Sequence, residues 1–149
     1  MWQRIQTVFL AIAAIALIAA LVQPLWEGRA GEEKIVLTPF YLLKNEQYAY
    51  YPYALTAVLT VAGLTLTFLT IRRYDNRMVQ MKLGLFNTLI LTGVMACIVV
   101  FVVILNKQYP IAQNGIGMYF VFAAVLCNWL AVRFIRRDEK LVRDSERLR

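Results

Sequence analysis

Histidine is absent from this chain and cysteine occurs only twice. The commonest general base and metal ligand is therefore missing. Cys97 and Cys127 each sit inside a long apolar block, without the paired spacing of a zinc site or a thiol–disulfide motif. They read as small buried side chains, and no disulfide is expected. Charge is scarce where it would do chemistry, because no Asp, Glu, Lys or Arg stands at the middle of any long apolar block. Proton-coupled transporters and ion pumps usually carry one there. Proline is also missing from the middle of those blocks, so the broken helices of many transporters are not expected. Without a nucleophile–base pair or a metal set, an enzyme is not expected. No cofactor is implied.

Apolar residues supply 60% of the 149 residues, above the roughly 45–50% of a soluble domain. They gather into four blocks, at about 5–25, 53–71, 83–105 and 116–135. Each is roughly 19–23 residues, or about 30 Å as a helix, which matches the hydrocarbon core of a bilayer. The expected fold is all-α: an integral membrane, antiparallel four-helix bundle forming one domain over 1–149. An outer loop at 26–51 and a cytoplasmic helical tail at 136–149 complete it. In the outer loop, Lys34 to Thr38 fits a short strand before Pro39, and Phe40 to Leu43 is expected on the membrane surface. The first block is too long for the apolar region of a signal peptide and is read as a retained span.

Twelve of the sixteen Lys and Arg fall in the N-terminus, the segment 72–82 and the region from Arg133 onward. The other four are Arg29, Lys34, Lys44 and Lys107. Basic residues in short flanks stay in the cytoplasm, so both termini are expected there, which an even number of spans requires. Arg133 alone lies inside a block, near its inner end, where its stem can lift the guanidinium into the headgroups. Trp2 and Trp26, Tyr50, Tyr51 and Tyr53, Tyr109, Tyr119 and Trp129 mark the expected boundaries, since amphipathic rings favour that depth. The net charge of +7 flanks the apolar blocks, so anionic lipid headgroups are the expected partners and nucleic acid is not.

Within the spans, Gly84, Thr88, Thr92 and Ala96 recur every four residues, as do Ala123, Cys127 and Ala131. Such ridges let backbones approach in lipid, and packing within the chain is preferred to a homodimer seam. Asn87 and Asn128 fall at similar depth in antiparallel helices, where an interhelical hydrogen bond is favoured over a ligand site. Gly115 and Gly117 are expected to shape the outer turn. The tail from Arg136 to Arg149 lacks Gly and Pro and pairs Glu139 with Arg143 and Lys140 with Asp144 at helical spacing. Two readings fit it: a lipid-touching anchor, or a docking helix for another membrane protein. Arg136, Arg137, Lys140, Arg143, Arg147 and Arg149 carry either role.

The opening Gln3-Arg4-Ile5-Gln6-Thr7 and the closing Asp138-Glu139-Lys140-Leu141-Val142-Arg143, then Arg147-Leu148-Arg149, resemble an uncharacterised bacterial family of four-span membrane proteins, domain of unknown function 4293. In that family Ser directly follows the Leu-Val-Arg; here Asp144 intervenes before Ser145, so no modification of that serine is assumed. The resemblance implies a bacterial inner membrane and assigns no activity. With both ends on the cytoplasmic face, Gln3, Arg4 and Gln6 are expected to meet Asp138 and Glu139. The expected function is a non-enzymatic accessory or scaffold subunit of an inner-membrane assembly, with a lipid- or quinone-binding protein as the alternative.

Overall fold

A computed structural model describes residues 2–31, 33–73, 76–109 and 111–147, with side chains between residues 5 and 141 of these. Four helices carry most of the chain: α1 (Trp2–Val22), α2 (Ala54–Arg72), α3 (Arg77–Gln108) and α4 (Ile116–Arg147). Each contains a stretch long and apolar enough to cross a membrane. Between α1 and α2 run four strands, β1 (Trp26–Ala30), β2 (Glu33–Leu37), β3 (Leu42–Lys44) and β4 (Gln47–Ala49), and β5 (Ile111–Asn114) joins α3 to α4. They form one antiparallel sheet in the order β4-β3-β2-β1-β5. The expected all-α class is therefore wrong. The supposed outer loop is most of a five-stranded sheet, and the fold is mixed α and β.

The sheet forms because each strand alternates sides. Trp26 pairs with Leu37 and Gly28 with Ile35, and Leu37 pairs in turn with Leu42. These residues are buried on the face toward the helices, while Arg29 and Lys34 point away. The turns supply the required backbone. Gly31 opens the β1–β2 connection at φ +66°, and Asn45 and Glu46 both take positive φ in the two-residue β3–β4 turn. Phe40 is exposed, whereas Leu42, expected on the membrane surface beside it, is buried inside β3.

α1 packs on α2 and α4, and α3 packs on α2 and α4. Stacking of Phe9 on Phe134 at 5.5 Å joins the start of α1 to the last part of α4, so these two helices run antiparallel. At the opposite end the backbone of Gln23 to Leu25 meets the start of α4, with the Gly117 N–H donating to the Pro24 carbonyl and the Gly115 N–H to the Leu25 carbonyl, both at 2.9 Å. A Cβ on Gly115 would lie 2.2 Å from the Pro24 oxygen, so only glycine allows this approach. The sheet thus caps one end of the helical layer, and the chain ends lie at the other.

The core changes character from end to end. Beneath the sheet, Leu25, Trp26, Ile35, Leu37, Val94, Ile98, Val102, Leu105 and Val121 form one apolar cluster. Ala16, Leu17, Leu91 and Ala124 continue it inward. Trp26, expected as an interfacial anchor, is instead fully buried. Its Nε1–H donates to Asn106 Oδ1 at 2.7 Å and its ring leans on Tyr109. The indole also covers Gly28, where an added Cβ would come within 2.3 Å of it. Trp26 therefore pins the sheet to the end of α3. Outward-facing positions of the helices, such as Ile15, Val58, Leu89 and Phe122, are large, apolar and exposed, the surface that lipid would cover.

Candidate functional site

Below the Leu91 layer the interior turns polar. α2 presents Thr56, Thr60, Gly63, Thr67 and Thr70 along its buried face, at spacings of three and four; Gly63 meets Leu91, and Thr67 and Thr70 fall below it. The hydroxyls of Thr60, Thr67 and Thr70 donate to the carbonyls one turn earlier, at 2.7–2.9 Å. This satisfies their hydrogens inside the helix and leaves an oxygen lone pair for a neighbour. Thr67 uses it: Asn87 Nδ2 donates to Thr67 Oγ1 at 2.8 Å.

The same amide nitrogen donates to Asn128 Oδ1 at 3.1 Å. Asn128 Nδ2 in turn donates to the Gly84 carbonyl at 3.2 Å and to Thr88 Oγ1 at 2.9 Å. The Gly84 carbonyl can only accept, so it sets the orientation of the Asn128 amide. That amide then sets the orientation of Asn87. Both asparagines are fully buried. Gly84 makes the contact, because a Cβ there would meet Val132 Cγ2 at 2.7 Å. One turn toward the chain ends, Gln80 Nε2 donates to the Thr70 carbonyl at 3.2 Å. Asn87 Oδ1 and Gln80 Oε1 are buried without a hydrogen-bond partner.

The threonine stripe and Gln80 were not singled out from the sequence. The stripe was legible as Thr60, Gly63, Thr67 and Thr70 at helical spacing. Gln80 falls between the expected blocks 53–71 and 83–105, whereas α3 starts at Arg77, capped by the Asn76 side chain accepting from the Val79 N–H at 3.2 Å. The ridge on α3 is used only in part: Gly84 and Thr88 face α4, while Thr92 and Ala96 are exposed. On α4, Ala124, Asn128, Ala131 and Val132 are buried, and Ala123 and Cys127 only partly.

At the end where the chain termini lie, Asp138 stands 3.5 Å from Arg77, an ion pair across α3 and α4. Gln6 is buried on α1, Glu139 is half-buried, and Arg136, Arg137 and Lys140 are exposed on α4. The side chains of Gln3, Arg4, Arg143 and Arg147, and all of Arg149, lie outside the described residues. Arg133 reaches over the Trp129 ring, 5.5 Å from its centroid. Arg72, Arg73 and Arg77 come to the same end from α2 and α3. At the sheet end, hydrogen bonding to Tyr109 raises the pKa of Lys44 above its ordinary 10.5.

Among the described residues no cluster of His, Cys, Asp and Glu could hold a metal ion. The arrangement is a rigid polar clasp among three helices, a capping sheet at one end and a cationic rim at the other. No curated protein matches the chain. A family model does, over residues 2–148, almost the full length, and the protein belongs to the family of the domain of unknown function DUF4293.

Proposed function

We propose that this is a non-enzymatic integral protein of the bacterial inner membrane. Both termini are cytoplasmic, and it acts by association, as an accessory or scaffold subunit that docks a membrane assembly through its charged tail. The observation that carries the reading is the length of α4. It is apolar as far as Ile135 and then continues without a break to Arg147, about 18 Å of further helix beyond the hydrocarbon. Basic residues of α2, α3 and α4 gather at that same end, which supports its cytoplasmic placement. Leu141, 55% exposed among charged neighbours, is the kind of apolar anchor a docking helix offers to a groove.

A quinone or lipid held at Asn87 and Asn128 is the less supported alternative, because those amides are spent on each other and on Thr67, Thr88 and Gly84. The test is purification in mild detergent of the full chain beside a variant ending at residue 135. The full chain is expected to bring down a membrane protein that the shortened chain loses. A lone monomer in both preparations would sink the reading.

A further inference from the structure

We infer that the cleft between α3 and α4 at the chain-end side is a binding site for an anionic phospholipid, its phosphate held by Arg133 and Arg136 and an acyl chain laid against Trp129 and Leu85. The inference rests on the helices being membrane spans, and not on the docking role of the tail. The cleft measures about 310 Å³ and is lined by Leu85, Thr88, Trp129, Val132, Arg133 and Arg136. Its floor exists because Gly84 lets α3 close onto Val132, which leaves the flanking Leu85 and Trp129 as walls.

Along α4 the lining residues fall at spacings of three, one and three, on a single face. They grade from apolar to cationic toward the chain ends, the same order as the parts of a phospholipid read from tail to headgroup. Depth agrees. Arg133 and Arg136 lie about 26 and 30 Å along the helix from Ile116, near the full thickness of the hydrocarbon core. The guanidiniums therefore stand where phosphates lie. Arg133 is held at the mouth by its contact with the Trp129 ring, and that indole is itself 48% exposed to the side from which lipid would enter.

Charge complementarity selects the occupant. Guanidinium groups bind phosphate oxygens through paired, charge-assisted hydrogen bonds. No carboxylate lines the cleft among the described residues, and Asp138 is drawn to Arg77 on α3. A zwitterionic headgroup would bring its own cation into this mouth, whereas a glycerol headgroup would not.

The test uses the full chain carrying Trp2→Phe, so that Trp129 and the fully buried Trp26 are the remaining indoles. The protein is reconstituted in vesicles of phosphatidylcholine, and phosphatidylglycerol or further phosphatidylcholine with brominated chains is titrated in. Brominated phosphatidylglycerol is expected to quench at a mole fraction about tenfold lower than brominated phosphatidylcholine, given two basic side chains at the headgroup. Arg133→Gln/Arg136→Gln is expected to abolish that preference, and Arg72→Gln/Arg73→Gln, at the same depth on α2, to preserve it. Identical quenching curves for the two lipids with the unaltered arginines would overturn the site without any need for the variants to fold. Equal loss of preference in both double variants would overturn it too, by reducing the effect to general surface charge. Release of the protein from membranes by alkaline wash would instead sink the spanning reading beneath it.

Discussion

Asn128 makes three polar contacts, all with α3 at Gly84, Thr88 and Asn87, while Asn87 carries the connection on to Thr67 of α2. Polar side chains buried in a span need partners there, because lipid offers none. The partners also define one rotation of each helix, since a turn of either helix by one residue would leave donors unmet. Membrane-embedded hydrogen bonds are nevertheless modest, because the separated helices find other partners. Asn87→Ala and Asn128→Ala are each expected to cost about 1 kcal/mol in unfolding of the detergent-solubilised protein. The double variant should cost less than the two combined, by the amide–amide term. Strict additivity would mean that the Asn87–Asn128 bond contributes nothing. Asn87 and Asn128 were legible in the sequence as polar residues of two facing apolar helices. The part played by Thr67 was not, because a threonine in an apolar helix is ordinarily satisfied by its own backbone.

The joint between sheet and helices rests on backbone contact, which makes it unforgiving. Gly115→Ala would drive a methyl to 2.2 Å from the Pro24 oxygen, and neither backbone can yield without breaking the paired bonds of Gly115 and Gly117. A loss of about 3 kcal/mol or more is expected, since overpacking against backbone cannot be relieved by a rotamer change. Gly93→Ala is the contrasting case. Nothing lies within 4 Å of its Cβ position, and the substitution should be neutral or raise stability by up to about 1 kcal/mol from helix propensity. Thermal unfolding of the two variants side by side reads both. If Gly115→Ala unfolds with the native protein, the close approach is not what holds the cap in place. The strands themselves were hard to read from sequence. β1 contains Gly28 and Arg29, and β3 and β4 are three residues each. The β3–β4 turn uses Asn45–Glu46 where a recognisable hairpin would have Asn–Gly. β5 pairs with β1 from more than eighty residues away, a closure that no local pattern announces.

For the molecule as a whole, the asymmetry of charge makes a direct prediction about orientation. In a chain carrying Cys97→Ala and Cys127→Ala, Gln47→Cys on the exposed β4 strand is expected to react with a membrane-impermeant maleimide in intact cells. Ser145→Cys should react only after permeabilisation. The opposite pattern would reverse the assignment of sides. Four apolar helices of bilayer length, their alternation of direction and the basic rim were all present in composition and spacing, because they depend on stretches of neighbouring residues: how many consecutive side chains are oily, and which charges flank them. The helix that runs past Ile135 was likewise legible, since nothing in the tail breaks it. The sheet, the burial of Trp26 and the clasp around Asn87 depend on residues far apart in the chain being brought within hydrogen-bonding distance. Trp26 shows the difference most clearly. Its sequence position at the end of an apolar block fits an interfacial ring equally well, and only the presence of Asn106, Tyr109 and Gly28 around it makes it core. A local pattern can say that a side chain wants to leave water; which neighbours receive it is a property of the folded chain, because the free energy of that choice lies in contacts that do not exist until the strands and helices have met.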